Sequence, residues 1–303
     1  MIIGKIKNNR HKPKVLVENK VSFAAHNAEL SIYDTYQQAE RVALHSDQLL
    51  FCGMVTGKKI MHANNDHYQQ SFLPHESFVM APNQTVEIDF PVAQLDKPTT
   101  CLAIEISKDK IQQICDHLNS NTAMPKAFGH WQYQDRLVHT HHNSETQALL
   151  NRIVQIFTEN HPDRNYLVDL AVSELTVRLL RHQAREFIVS FSQNEPDHNG
   201  INAALTYINQ HLAEPIDIDL LCKLACMSRT KFFIEFKNLL GCSPAAFQHQ
   251  MRLKKAAQLI LQGTRITQVC FDLGFTNPSH FSRSFKLFFG MSPSQYKAKP
   301  LLN

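Results

Sequence analysis

Three sets of side chains have the types and spacing to do chemistry, and each implies a different kind of protein. His62, His67 and His75, followed by Glu76, are metal-ligand types close together in the chain. A metal held there would polarise a substrate or activate water. No close His-x-His pair occurs among them, and Asn64–Asp66 between them reads as a loop, so neither a metal nor a cofactor is expected. His139, His141 and His142 are denser but lie in an unpatterned stretch and read as a solvated loop. No Gly-rich phosphate loop, G-x-S-x-G or H-E-x-x-H occurs, so no catalytic residue is assigned and an enzyme is not expected. The third set is Arg229, Thr230, Lys231, Phe233, Ile234 and Lys237, followed by Asn277, Ser279, Ser282, Arg283 and Lys286. Cations attract phosphate, Ser, Thr and Asn bond to base edges, and apolar groups meet thymine methyls, so this is groove-reading chemistry.

The two halves of the third set are related by an internal repeat. A shift of 49 positions matches Leu224 with Leu273, Phe232 with Phe281 and Phe236-Lys237 with Phe285-Lys286. It also matches Gly241 with Gly290 and Ser243-Pro244 with Ser292-Pro293, while Ala225 falls on Gly274. Each copy reads as a short helix (Leu220–Ala225; Val269–Leu273), a three- or four-residue break, and a second helix (Arg229–Leu240; Pro278–Phe289). Ser228 and Asn277 are capping types, Pro278 fits a first helical turn, and glycine suits the position after a helix end. Helix, tight turn, helix is the arrangement whose second helix enters the major groove. Phe232 and Phe236 share a core-facing stripe, as do Phe281 and Phe285, which leaves the third set facing outward. Ala245–Gln262 reads as one helix joining the copies, with Arg252, Lys254 and Lys255 on a solvated face. Its 18 residues span about 27 Å, somewhat less than the ~34 Å turn of B-DNA, and the second helices, projecting from either end, are expected to enter successive grooves.

Charge follows the same division. The whole chain of 303 residues is nominally +4. Residues 199–303 hold twelve Lys and Arg against five acids, and beyond Ser228 only Glu235 and Asp272 are acidic. The front two thirds are slightly acidic, so the small total conceals a basic domain suited to a polyanion. An apolar fraction of 43% excludes wholesale disorder, and the length suggests about two domains. The seven cysteines are odd in number and lack any C-x-x-C, which argues against a disulfide framework or structural zinc. No signal peptide or membrane-length apolar run is present, so a cytoplasmic chain without membrane contact is expected.

The front domain reads as β-rich over 20–106, with LSIYDTY, LLFCGMVTG, KKIMH, SFVMA, TVEIDF and TTCLAIEI as short strands. Their spacing predicts an antiparallel barrel or sandwich. Helices follow over 107–190: Ser107–Asn119, Ser144–Asn160 and Asp163–Phe187. The expected organisation is α+β: a domain over 1–190, a linker over 191–200, and an all-α domain over 201–300. The two helix-turn-helix units of that last domain are expected near 216–241 and 265–290.

Residues Asn199–Lys297 resemble the DNA-binding domain of AraC/XylS-type transcription regulators. The resemblance rests on Gly274-Phe275-Thr276-Asn277-Pro278-Ser279-His280-Phe281-Ser282-Arg283-Ser284-Phe285-Lys286 and on Gly290-Met291-Ser292-Pro293-Ser294-Gln295-Tyr296-Lys297. It implies base-edge contacts from Arg283, with Ser279 and Ser282 beside it, and from Thr230, Phe233 and Ile234 in the first unit. Where many members carry Arg in the first recognition helix, this chain has Ile234, which excludes bidentate guanine reading there. Leu73–Pro82, with His75 where glycine is usual, is similar to a stretch of the cupin-like effector domains common in the family. The resemblance therefore implies a cupin-like barrel that binds a small-molecule effector, a homodimer, double-stranded DNA as target, and activation with RNA polymerase. Two other readings stay open at this point: a cupin-type metalloenzyme with a DNA-binding tail, and a ligand-independent architectural DNA binder.

Overall fold

The computed structural model describes residues 13–63, 68–74, 76–122, 124, 129–134, 138–141, 144–194 and 200–298. His67, His75, His142 and the side chain of His141 lie outside the described residues. The chain divides into two compact units: Met1–Ile114 with Gln134–Thr176, and Cys115–Tyr133 with Val177–Asn303. The fold is mixed α+β, with antiparallel sheets in the first unit and helices in the second. Among the described residues, no helix is long and apolar enough to cross a membrane.

In the first unit, β1 (Asn19–Ala24), β2 (Ala28–Thr35), β4 (Leu49–Thr56), β7 (Glu76–Met80), β9 (Thr99–Ile106) and β10 (Val138–His141) form one sheet in the order β1-β2-β9-β4-β7-β10. The second sheet runs β3-β8-β5-β6, from β3 (Val42–Ser46), β5 (Lys59–Ala63), β6 (Tyr68–Phe72) and β8 (Gln84–Asp89). All of the pairings are antiparallel. Leu50, Cys52, Met54, Phe78 and Met80 of the first sheet share a core with Met61, Phe72, Val86 and Ile88 of the second. Alternate residues of the same strands, such as Phe51, Val79 and Ile104, are buried as well. Burial on both faces explains why LLFCGMV and TTCLAIEI read as continuous apolar runs. The unpatterned stretch before Ser144 holds β10, which pairs with β7. His139 therefore sits on a strand, its ring nitrogen 3.2 Å from Glu76, and not in a solvated loop. Strand burial around Glu76 favours a polar partner for it, and β10 supplies one.

Helices α1 (Lys108–Asn121), α2 (Ser144–Thr158) and α3 (Arg164–Asn194) follow, and α1 and α3 each run across the division between units. Helix α3 extends seven residues beyond the expected Phe187 and so covers the start of the expected linker. The second unit continues with α4 (Gly200–Gln210), α5 (Ile218–Leu224), α6 (Arg229–Leu240), α7 (Pro244–Leu261), α8 (Ile266–Asp272), α9 (Pro278–Phe289) and α10 (Pro293–Lys297). Two cores lie along α7. Phe247 joins Leu205, Ile208, Leu221, Phe232 and Phe236, whereas Leu253, Ala257 and Ile260 join Val269, Phe275, Phe281, Phe285 and Tyr296.

The repeat has two registers. The second helices, α6 and α9, correspond at 49 residues, with Phe232 and Phe281, and Phe236 and Phe285, fully buried. The first helices, α5 and α8, correspond at 48: Leu221 with Val269, Cys222 with Cys270, and Ala225 with Leu273 are the buried positions. The turn confirms this, since Met227 N donates to Cys222 O and Phe275 N to Cys270 O, each at 3.0 Å. Matching Leu224 with Leu273 and Ala225 with Gly274 is thus corrected by one position. The second turn is one residue longer and absorbs the difference.

Candidate nucleic-acid interface and a cleft in the β unit

Local chemistry builds the second helices of the two units the same way, whereas of the first helices only α5 has a side-chain cap. Asp217 caps α5 by accepting from Leu220 N at 3.0 Å, and Ser228 caps α6 by accepting from Lys231 N at 3.4 Å. Asn277 caps α9 more fully, its Oδ1 accepting from Ser279 N at 2.8 Å and His280 N at 3.2 Å. Both second helices end on glycine in the left-handed region, Gly241 and Gly290. Ser243-Pro244 and Ser292-Pro293 then begin α7 and α10 with the same serine cap and proline at the first helical turn.

Phenylalanines on the inner stripe leave matching outer faces. Arg229, Thr230, Lys231, Ile234 and Lys237 of α6 are exposed, and Phe233 is half-buried. Along α9, Ser279, Arg283 and Lys286 are exposed, with Ser282 half-buried. Asn277 is exposed too, but its oxygen is occupied by the cap. Position for position, Ile234 and Arg283 occupy the same outward place, 49 residues apart. Ile234 is 53% exposed, a large apolar side chain held in water on a face otherwise cationic. Arg229 has one acidic neighbour, Asp219, at 3.3 Å across open solvent, a pair of little energetic weight. His280, on the same face as Arg283, stands with its ring centroid 6.2 Å from that of His249 on α7. Burial, together with the charges of His280 and Arg252, holds His249 below the ordinary histidine range.

The cations expected on a solvated face of α7 are not all solvated. Arg252 is half-buried and donates to the carbonyls of Leu212, Glu214 and Gly274. Lys254 pairs with Glu186 of α3 at 2.6 Å, and Lys255 alone of the three is exposed. Arg252 is the residue that sequence reasoning missed, because its partners are carbonyls more than twenty residues away. No periodicity encodes such a contact.

In the first unit a narrow cleft, with room for about one water, lies between the two sheets and is lined by Tyr33, Lys59, Met61, Phe72, Phe78 and Cys101 among others. Lys59 is 3% exposed, its ammonium 3.1 Å from Glu18 and 3.0 Å from Cys101 Sγ, and 4.8 Å from the Phe90 ring centroid. Burial opposes its charge, but Cys101 and Glu18 more than offset it and hold Lys59 above the ordinary lysine range. Elsewhere, His62 lies 2.7 Å from Asp89, and Glu76 accepts from Leu73 N at 2.7 Å besides facing His139. Among the described residues no group of three or more His, Cys, Asp or Glu is placed to hold a metal ion.

Known proteins match both units. Residues 27–187 match the family model of the AraC-type transcriptional regulator N-terminus, and residues 221–299 match that of a helix-turn-helix domain. The arabinose operon regulatory protein of Salmonella typhimurium is 31% identical over 147 residues, covering 48% of this chain and 51% of that protein. The chain spans about half the length of the curated relatives it matches. Unsaturated fatty acid bound ToxT of Vibrio cholerae covers 90% of this chain and 96% of its own, at 13% identity and a TM-score of 0.39. The DNA-binding domain of AdpA, in complex with a target DNA, covers 33% of this chain and 91% of its own, at 27% identity and a TM-score of 0.31.

Proposed function

The chain belongs to the AraC-type transcriptional regulators, and from that premise we propose that it reads a bipartite DNA sequence with α6 and α9 and activates transcription with RNA polymerase in the cytoplasm. The observation that carries the reading is the pair of matched outer faces, basic and polar, on second helices with equivalent buried stripes. Lys231, Lys237, Lys286 and Arg229 supply salt-dependent phosphate attraction, while Arg283, Ser279 and Ser282 choose bases under the second unit. Phe233 and Ile234 favour thymine methyls under the first. Selection of binding sites from random DNA tests this. The expected product is two half-sites, A·T-rich under α6, and an invariant G·C pair there would refute the assignment of Ile234. Arg283→Ala is expected to lose about 1–3 kcal/mol of specific binding and to relax one base position. A uniform loss over all sequences would make Arg283 a phosphate contact instead.

The effector belongs in the cleft of the first unit, and the chain acts as a homodimer. Support for the first point is a buried ammonium set in an apolar lining and neutralised by Glu18. An effector with an apolar body and one anionic group takes the place of Glu18 at Lys59, leaving that carboxylate to water. Thermal melting of the full chain with short monocarboxylates and with the matching alcohols tests this. The acids are expected to raise the melting temperature more than the alcohols, and Lys59→Met to abolish the difference. Equal shifts for acid and alcohol would remove Lys59 from effector recognition.

A further inference from the structure

Helix α4 and the few residues after it precede the first helix-turn-helix unit, yet this segment touches both turns. A Cβ at Gly200, its first residue, would overlap the carbonyl of Ala225 in the turn of the first unit. A Cβ at Gly274, in the turn of the second unit, would overlap the carbonyl of Ala213, just past the end of α4. One short segment, residues 200–214, therefore spans from one turn to the other. Two side chains of the connecting helix α7 fasten its far end. Gln248 Nε2 donates to His211 O at 3.2 Å and to Glu214 O at 3.0 Å. Arg252 donates through Nε to Leu212 O, through Nη2 to Glu214 O at 2.7 Å, and through Nη1 to Gly274 O at 3.3 Å. Its guanidinium also lies 6.0 Å from the ring centroid of Phe275, the residue after Gly274.

Each helix-turn-helix unit packs on its own stretch of α7, in a core separate from that of the other. A second tie, away from the axis of α7, adds a restraint on the rotation of one unit relative to the other about that helix. The segment over 200–214 is such a tie, and Arg252 is the side chain that bonds both to it and to the second turn. A planar fork carries fixed donors on three separate nitrogens and so reaches carbonyls on two segments in a set geometry, whereas the three donors of a lysine rotate about one atom.

We propose that Arg252 is a positioning residue that sets the spacing of the DNA half-sites, by locking the rotation between α6 and α9. This rests on the two-helix reading of DNA proposed above. Each base pair inserted between half-sites moves the second one by about 3.4 Å and turns it by about 36°, so a rigid protein tolerates one spacing. A loosened one tolerates its neighbours.

The test uses the full chain and the bipartite site obtained by selection, with the spacer lengthened or shortened by one base pair, and affinities read by fluorescence anisotropy. The native protein is expected to lose about ten-fold or more at either altered spacing, a penalty of the size of one mismatched base pair. Arg252→Gln is expected to bind the native spacing more weakly and to show a penalty of about three-fold or less at the altered ones. Gln248→Ala, which removes two of the fastening bonds and leaves Arg252 in place, is expected to flatten the profile in the same sense by a smaller amount. Circular dichroism establishes that each variant is folded. Should Arg252→Gln weaken all spacings by the same factor, or Gln248→Ala leave the profile unchanged when the arginine variant does not fold, the proposal is overturned. If the native protein selects no bipartite site at all, the failure lies with the DNA reading itself.

Discussion

Phe281→Ala is expected to destabilise the second helix-turn-helix unit by about 3–5 kcal/mol, the usual range for emptying a fully buried aromatic site. The ring is fully buried and sits in the middle of an aromatic chain. Its centroid lies 4.9 Å from that of Phe275 and 5.7 Å from that of Phe285, which is itself 5.3 Å from Tyr296. Such tilted and edge-on pairs add to the area buried, and the surrounding rings are too stiff to collapse into the space. The loss should stay local. Phe232, Phe236 and Phe247 form a separate cluster around the first unit, in which Phe236 meets Phe247 edge-on at 5.8 Å. Hydrogen exchange on the Phe281→Ala protein is therefore expected to show α8 and α9 losing protection while α5 and α6 retain it. Equal loss in both units would mean that the two cores fold as one, and would contradict the division along α7.

How much of this architecture can be read from the residues depends on what each feature is made of. The second helices, their caps and their buried stripes are local: two phenylalanines four apart, a serine or asparagine before them and a glycine after them. All of these are legible, and α6 and α9 have the bounds that the pattern predicts. Four strands were not legible, namely β1, β3, β6 and β10, and they are the four edges of the two sheets. An edge strand keeps one side toward water and carries polar residues, as in YQQSF and VHTH, so its alternation is weak. Of the central strands, β2, β4, β7 and β9 are buried on both faces and announce themselves as apolar runs, while β5 and β8 show the clearer alternation. The register of the first helices misled for a different reason. Leu224 and Leu273 are identical but not equivalent, since Leu273 is buried where Ala225 is, and the extra turn residue conceals the slip. Arg252, Lys59 and the pair of Glu76 with His139 depend on contacts across the fold, and only three-dimensional placement separates them from surface charge.

Gly274→Ala is expected to be the most damaging small change in the DNA-binding unit. The residue has a φ of 74°, where an added Cβ costs about 1–3 kcal/mol in backbone strain alone. Here the Cβ would also meet the carbonyl of Ala213, which Arg252 and Gln248 hold in place through its neighbours. Relief requires moving either the second turn or the segment over 200–214, so loss of stability and loss of half-site spacing should appear together. The first turn provides the control. Cys226 occupies the equivalent position, with a φ of 52°, but its side chain points into solvent. Strain there is confined to the backbone, so Cys226→Gly is expected to be neutral or to stabilise by up to about 1 kcal/mol. Thermal melting of the two variants distinguishes the causes. If Gly274→Ala melts with the native protein, the close approach to Ala213 is not a constraint. If Gly274→Ala costs well over a backbone strain of about 1–3 kcal/mol while Cys226→Gly gains no more than about 1 kcal/mol, the conformation common to both turns does not account for the excess. The requirement for glycine then comes from the contact that ties the second unit to α4, which the first turn meets through Gly200 instead.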